Sequence, residues 1–234
     1  MRIAEIYGSL QGEGLLAGTP SAFVRTSGCN LRCRWCDTPF TSWEPTGDEM
    51  TNDAIVSAVE SLGRRHVVVT GGEPLLFGET VELCRRLRQR GHHVTIETAG
   101  SVVPTASPIA GAADLMSISP KLASSTPPSD TPAGWASRHA SARRRDDVLR
   151  ALMAAARWQL KFVVDGPSDL DEAVAWLADL GLGPESGPIF MMPQGTTSDV
   201  LVRKTDWRDA ACRRHRFRLA PRHHIEWFGY ARGT

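Results

Sequence analysis

Three of the chain's five cysteines lie within eight positions, in the segment GCNLRCRWCDTPF that covers residues 28–40. Cys29, Cys33 and Cys36 have the spacing C-x3-C-x2-C. Three close thiols suit a disulfide, a zinc site that takes another ligand from elsewhere, or an iron–sulfur cluster with one iron left open. The choice among these three chemistries largely decides what the chain does.

The rest of the chain offers little to complete a structural zinc site. Such a site takes four ligands, commonly in closely spaced pairs. Cys84 and Cys212 fall inside predicted helices without a C-x2-C partner, and we interpret them as small buried hydrophobic residues. His223 and His224 could supply a nitrogen, but adjacent residues of a strand point to opposite faces and cannot easily share one ion. An iron–sulfur cluster with an open position, as in catalytic metal sites, is therefore favoured.

The composition limits the partners and the compartment. The 234 residues carry 27 basic and 26 acidic side chains, a formal charge of +1, so we expect neither nucleic acid nor a membrane surface as a partner. The first residues lack the apolar core of a secretory signal, and no stretch reaches the ~18 apolar residues of a membrane span. We expect a cytoplasmic protein, and in that reducing compartment clustered cysteines are more often metal ligands than disulfides.

A second motif, TGGEP at residues 70–74, follows the cysteine segment after one predicted helix and one predicted strand. Gly71 and Gly72 allow the backbone to approach a ligand closely where any Cβ would intrude. Their amides can meet a charged group, and Glu73 can accept a hydrogen bond from an ammonium group. The alternative interpretation is an ordinary strand-to-helix turn with Glu73 at a helix N-terminus.

Short apolar runs alternate with helical patterns along most of the chain. Strands are predicted at 21–28, 66–74, 93–100, 114–121, 158–166 and 188–195, and helices at 51–63, 79–91, from about Asp146, at 168–181 and within 197–215. This alternation predicts an α/β fold with a parallel sheet, whose motifs converge at the carboxyl ends of the strands. Six or so units are too few for a closed eightfold barrel, so we expect an incomplete, splayed barrel. Residues 217–230 are predicted to form a final strand and a tail.

We expect residues 1–234 to form a single domain. One segment, Leu122 to Ser141, interrupts the alternation and is rich in Pro, Ser, Thr and Ala. We predict that it is an exposed, partly mobile insertion.

The cysteine segment resembles the signature of the radical S-adenosylmethionine (SAM) superfamily, with Trp35 in the aromatic place before the third cysteine. The TGGEP segment resembles the GGE motif of that superfamily. The resemblance implies a (β/α)6-type partial TIM barrel and a [4Fe–4S] cluster held by Cys29, Cys33 and Cys36. SAM would chelate the open iron and yield a 5′-deoxyadenosyl radical, while the protein orients the cofactor and excludes water.

Almost the whole chain, apart from 122–141, further resembles the family of 7-carboxy-7-deazaguanine synthases. LQGEG and CNLRCRWCDTPF are the most specific motifs, accompanied by ETAG, SPK and MPQG. The resemblance implies a lyase of queuosine biosynthesis that converts 6-carboxy-5,6,7,8-tetrahydropterin to 7-carboxy-7-deazaguanine with loss of ammonia, after the adenosyl radical abstracts hydrogen from C6. It also implies Mg²⁺ bound by Thr38, a homodimer, and an external electron donor such as a flavodoxin.

The same resemblance assigns the remaining site residues through their motifs. Arg25 would bind the pterin carboxylate through two parallel hydrogen bonds. Its residue type alone favours a solvated surface position. The implied substrate contacts are Leu10, Gln11, Gly12, Glu13, Arg25, Thr70 and Thr234. The implied SAM contacts are Gly72, Glu73, Glu97, Ser119, Pro120, Lys121, Met192, Pro193, Gln194 and Gly195. Lys161 is interpreted as a surface residue at a strand end and receives no role.

Two other functions stay open at this point. A glycyl-radical activating enzyme shares the cysteine spacing but acts on a partner protein, so the discriminating observation is whether a pterin or a protein triggers cofactor cleavage. An iron–sulfur electron carrier or redox sensor is the second alternative, but that function would not explain the GGEP motif or the open iron.

Overall fold

The computed structural model describes residues 1–104 and 107–234, without the side chains of residues 205–208. The strands of this part are β1 (Arg2–Leu10), β2 (Pro20–Thr26), β3 (Asp48–Glu49), β4 (His66–Gly71), β5 (His93–Thr98), β6 (Leu115–Ile118), β7 (Arg157–Val164), β8 (Ile189–Pro193) and β9 (Arg218–Leu219). The α-helices are α1 (Pro39–Ser42), α2 (Asn52–Ser61), α3 (Glu79–Gln89), α4 (Trp135–Ala142), α5 (Asp146–Ala155), α6 (Pro167–Leu180), α7 (Ser198–Arg203), α8 (Thr205–His215) and α9 (His223–Phe228).

The described strands form one sheet in the order β3-β1-β2-β4-β5-β6-β7-β8-β9. β1 pairs antiparallel with β2 and β3, whereas each pair from β2 to β9 is parallel. The two ends of this sheet are β3 and β9, so it is an open barrel. The prediction of an incomplete barrel with a parallel sheet is therefore confirmed, with the antiparallel pairs of β1 as the exception.

Local sequence explains where the main elements begin and end. β4 is buried on both faces, and its Val67, Val68 and Val69 have no exposed surface, as expected for a central parallel strand. α2 begins after Thr51, whose hydroxyl accepts a hydrogen bond from the Ala54 amide at 3.2 Å. α6 ends at Gly181, which adopts the left-handed conformation with φ of 71°.

Both ends of the chain differ from the prediction. The first residues form β1, an antiparallel strand that the alternation of strands and helices did not predict. At the other end β9 has only two residues, and the segment after it is the helix α9 rather than a tail. His223 and His224 both lie in α9, so the prediction that they point apart along a strand was wrong.

The segment 122–141 folds into short turns followed by most of α4. Its outer part, around residues 128–130, is exposed. Leu122, Ser125 and His139 are instead buried, so the segment also contributes to the interior of the protein.

The main hydrophobic core lies between the sheet and its helices. Phe162 of β7 packs edge-on against Trp176 of α6, with 6.0 Å between the ring centroids. Cys84 and Cys212 are buried in α3 and α8, as predicted. Among the described residues, no helix has the length and apolar composition needed to cross a membrane.

Candidate active site

The carboxyl ends of the parallel strands surround a cavity of about 510 Å³, the size of a small-molecule site. Sixteen of the residues to which the sequence analysis gave a site role line it: Leu10, Gln11, Gly12, Glu13, Arg25, Cys29, Cys33, Cys36, Thr38, Thr70, Gly72, Glu97, Ser119, Lys121, Met192 and Thr234. Five others lie outside the lining: Glu73, Pro120, Pro193, Gln194 and Gly195. The fold thus collects motifs from both ends of the chain around one space.

The three cysteines lie in the loop between β2 and α1. Its backbone is fixed at several points, including a 2.8 Å hydrogen bond from the Gly28 amide to the Thr41 carbonyl. The Cys36 amide donates to the Cys33 carbonyl at 3.2 Å, and the Trp43 indole donates to the same carbonyl at 3.0 Å. These hydrogen bonds therefore hold the backbone that carries the three thiols in one conformation.

The chemistry of these thiols suits a metal cluster. Burial raises the pKa of the Cys29 thiol and of the Cys33 thiol to about 12, so both need bound cations to become thiolate ligands. Within residues 1–104 and 107–234, no group of three or more Cys, His, Asp or Glu side chains is arranged to hold a single ion. The buried indole nitrogen of Trp35, beside the cavity, has no hydrogen-bond partner among these residues. A four-iron cluster, which distributes its cysteines over separate irons, fits this loop.

Gly71 and Gly72 allow a close approach of the backbone, as predicted, but the partner is the cysteine loop itself. A Cβ on Gly72 would lie 2.2 Å from the Gly28 carbonyl oxygen. Gly71 has φ of 138°, and a Cβ there would lie 2.2 Å from the Thr26 carbonyl oxygen. The glycine pair therefore lets β4 pass directly beneath the start of the cysteine loop.

Glu73 lies behind the cavity wall. Its carboxylate accepts hydrogen bonds from the Thr98 hydroxyl at 2.8 and 2.9 Å and from the Ala99 amide at 2.8 Å. It also accepts one from the Leu75 amide at 3.1 Å. Burial raises the pKa of Glu73 although these hydrogen bonds oppose the shift. In this structure Glu73 joins the ends of β4 and β5.

Lys161 connects two of the predicted ligand-binding residues. Its ammonium nitrogen lies 3.0 Å from Glu13 Oε2 and 3.0 Å from Glu97 Oε1, and only 3% of the residue is exposed. Burial by itself lowers the pKa of Lys161, but the carboxylates of Glu97 and Glu13 outweigh this effect and raise it. Burial likewise opposes the ionised form of Glu13, yet Lys161 and Arg222 hold the pKa of this carboxyl well below its usual range. Lys161 and Glu13 are therefore both charged at neutral pH.

Arg222 closes the same network from the other end of the chain. Its guanidinium lies 3.2 Å from Glu13 Oε1 and 2.6 Å from Asp37 Oδ2, directly after the third cysteine. It also donates to the Gly195 carbonyl at 2.6 Å, which places the MPQG segment next to the pocket. The absence of a side chain at Gly12 lets His224 pack against the backbone there, because a Cβ at this position would lie 2.3 Å from His224 Nδ1.

Arg25 reaches the cavity from β2 and already has two partners. Its Nε donates to Glu5 Oε1 at 2.6 Å, and its terminal nitrogen donates to the Tyr7 hydroxyl at 2.6 Å. Glu5 in turn accepts a 2.9 Å hydrogen bond from Arg232 near the chain end. Arg25 is thus held in a fixed orientation at the pocket wall, in contrast to a solvated surface residue.

Thr38 and the end of the chain border the same region. The Thr38 hydroxyl lies 3.9 Å from the Cys36 sulfur and accepts from the Thr41 hydroxyl at 3.3 Å. Tyr230 donates from its hydroxyl to the Asp37 carbonyl at 2.6 Å, and the following residues to Thr234 line the cavity. The last residues are therefore attached to the loop that follows the cysteines.

Sequence reasoning missed Lys161 and Arg222 as site residues. For Lys161 a signal was present: a lysine in the centre of QLKFVV, a parallel strand with apolar residues on both faces, cannot reach solvent easily. Arg222 had no such signal, since its partners lie 209 and 185 positions away in the sequence.

Comparison with known proteins defines the class to which this site belongs. Residues 23–200 match the family model of the radical SAM superfamily, and the chain belongs to that superfamily. It is 47% identical to the 7-carboxy-7-deazaguanine synthase of Halobacterium salinarum, over 95% of this chain and 88% of the relative. It is 41% identical to the enzyme of the same name from Rhodopirellula baltica, over 99% and 88% of the two chains.

Among solved structures, the crystal structure of QueE from Escherichia coli has a TM-score of 0.68 and 25% identity, covering 95% of this chain and 94% of that one. Streptococcus suis SuiB bound to S-adenosylmethionine has a TM-score of 0.53 at 11% identity, over 82% of this chain and 48% of that one, and shares the fold alone. The chain is a member of the 7-carboxy-7-deazaguanine synthase family.

Proposed function

We propose that this chain converts 6-carboxy-5,6,7,8-tetrahydropterin to 7-carboxy-7-deazaguanine with loss of ammonia, as a lyase of the queuosine pathway. The observation that carries the proposal is that the cysteine loop and the LQGEG segment line one cavity. Cys29, Cys33 and Cys36 would hold the [4Fe–4S] cluster, and the cluster with its SAM would supply a 5′-deoxyadenosyl radical for abstraction of hydrogen from the pterin C6. The family relationship supports this assignment along nearly the full chain.

The polar groups of the pocket suit the two ends of such a pterin. Arg25 offers a fixed guanidinium at one wall, and a guanidinium pairs well with a planar carboxylate. Glu13, with Gln11 and the backbone from Leu10 to Gly12, borders the cavity where the amide-like edge would bind. Carboxylate and carbonyl oxygens accept hydrogen bonds from such an edge.

We assign SAM to the side of the cavity lined by Glu97, Ser119, Lys121 and Met192. Lys121 donates to the Ser119 carbonyl at 2.8 Å and to its hydroxyl at 2.9 Å, which orients the ammonium at the pocket. Glu97 projects from the end of β5, where its carboxylate can accept from a ribose or an ammonium group. Gly72 borders the same space beside the cysteine loop. Four residues assigned to SAM lie outside the cavity lining and would support the SAM contacts indirectly: Glu73, Pro120, Pro193 and Gln194. Gly195 would do so through the hydrogen bond that its carbonyl accepts from Arg222.

Three finer elements complete the proposal. The Thr38 hydroxyl would hold Mg²⁺, and substrate and water oxygens would supply its other ligands, since this ion keeps several waters and takes few protein ligands. An external donor such as a flavodoxin reduces the cluster. The enzyme acts as a homodimer in the cytoplasm.

The test is turnover by anaerobically reconstituted protein with dithionite, Mg²⁺, SAM and 6-carboxy-5,6,7,8-tetrahydropterin. Mass spectrometry should detect 7-carboxy-7-deazaguanine, and a matched sample of Cys33→Ala should give none. Release of 5′-deoxyadenosine that is independent of the pterin, without that product, would contradict the assigned substrate and point to the activating-enzyme class.

A further inference from the structure

The segment 122–141 holds the backbone of the cysteine loop through two buried residues. The Arg32 amide donates to His139 Nδ1 at 3.1 Å, and the Arg34 amide donates to the Ser125 carbonyl at 2.9 Å. These two amides flank Cys33. Neither His139 nor Ser125 has exposed surface, so water does not compete for the hydrogen bonds that these residues accept from the two amides.

The hydrogen bonds also define the state of the His139 ring. Because Nδ1 accepts from the Arg32 amide, the proton of the neutral ring lies on Nε2. Nε2 is 2.8 Å from the Ser125 hydroxyl, which donates onward to the Leu122 carbonyl at 2.6 Å. The chain of donors thus runs from the cysteine loop through His139 to the start of the segment, and each ring nitrogen has one partner.

A third contact fixes the side of the loop that faces α4. The Arg32 guanidinium carbon lies 4.0 Å from the centroid of the Trp135 ring. The same guanidinium donates to the carbonyls of Cys29 at 2.8 Å and Leu31 at 2.9 Å. Arg32 therefore links α4 to the backbone between the first and second cysteines.

We propose that His139, oriented by Ser125, is a positioning residue that holds the loop from Cys29 to Cys36 in its ligand-presenting conformation before the cluster is assembled. A loop already ordered loses less conformational freedom when the cluster binds. The segment 122–141 has the role of a brace for the cluster loop. The inference rests on the proposed function only in that these cysteines hold a cluster, and it is independent of the pterin.

Amide hydrogen exchange of the anaerobic apo-protein tests the brace directly, without cluster, SAM or substrate. His139→Leu keeps an apolar side chain of similar size but accepts no hydrogen bond. We expect peptides covering residues 29–36 to exchange about tenfold faster or more, because a buried amide loses its partner. His139→Asn restores an acceptor near the position of Nδ1 and should recover most of the protection. Ser137→Ala, on the exposed side of α4, should exchange like the unchanged protein.

Iron retention gives a second readout. After reconstitution, His139→Leu should lose iron to a chelator several-fold faster than His139→Asn and the unchanged protein. Equal exchange at 29–36 in all variants would overturn the proposal. Acceleration spread equally over β5 and the loop would also overturn it, because that result describes general destabilisation. If His139→Leu does not fold, Ser125→Ala replaces it, with the same loop-specific acceleration expected and the same outcomes decisive.

Discussion

The ammonium nitrogen of Lys161 lies 3.0 Å from the carboxylate of Glu97 and bridges it to Glu13. Glu97 projects from β5 on the proposed SAM side, whereas Glu13 belongs to the LQGEG segment on the proposed pterin side. One buried cation therefore orients carboxylates from both binding regions. A substitution of either carboxylate would therefore alter the position of the other through Lys161.

Lys161→Met should lower the free energy of unfolding of the apo-protein by about 3 kcal/mol, because removing one partner of a buried ion pair leaves uncompensated charge. It should also weaken both SAM and pterin binding in the reconstituted protein. Chemical denaturation and ligand titration measure these effects. Arg86→Met is the control: Arg86 also bridges two carboxylates, Asp53 and Glu82, but on the surface, so we expect little change. Equal destabilisation by the two substitutions would contradict the importance of burial.

Cys33→Ala should abolish the cluster and the activity while leaving a folded chain. The thiol is an assigned ligand, and its loss leaves two cysteines for the cluster. Cys84→Ala serves as the control, since Cys84 is buried inside α3. Iron and sulfide content after anaerobic reconstitution distinguish the two variants. Retention of a full cluster by Cys33→Ala would show that the ligand assignment is mistaken.

Arg25→Ala should weaken pterin binding about tenfold or more, because a charge-assisted hydrogen bond is lost. SAM affinity should not change, since Arg25 lies on the wall with Glu5 and Tyr7. Arg25→Lys keeps the charge but not the two parallel hydrogen bonds, so an intermediate affinity is expected. Separate titrations with each ligand make the measurement. Loss of SAM affinity together with unchanged pterin affinity would reverse the assignment.

Thr38→Val removes the proposed Mg²⁺ ligand with little change of shape. We expect about tenfold more Mg²⁺ to be needed for half-maximal turnover, because this ion takes few protein ligands and each contributes strongly. Thr38→Ser keeps the hydroxyl and should remain close to the unchanged enzyme. The Thr38 carbonyl that accepts from the Thr41 hydroxyl at 2.8 Å is present in both variants, so the local turn is preserved. Identical Mg²⁺ curves for Val and Ser would assign the ion elsewhere.

Short-range patterns predicted the parts of the site that are continuous in sequence. The cysteine spacing, the LQGEG motif and the hydrophobic period of each strand or helix are each contained in a short stretch of sequence. The role of Glu73 depended instead on Thr98 and Ala99, which are 25 and 26 positions away. Contacts across such distances are set by strand order and packing, which no local pattern encodes. The brace formed by residues 122–141 was hidden for the same reason.

The stability of the apo-protein should depend on pH through His139. Burial lowers the pKa of this ring to about 4, and nearby Arg143 and Lys121 act in the same direction. An unfolded histidine titrates near pH 6.5. Between these values the unfolded chain binds the proton and the folded chain does not, so stability falls as the pH decreases from about 6.5 toward 4 and this contribution is constant below. His139→Asn lacks the group, and between pH 7.5 and 5 it should lose about 2 kcal/mol less than the unchanged protein. Denaturant titrations at the two pH values test this, and parallel losses in both proteins would show that His139 protonates in the folded state.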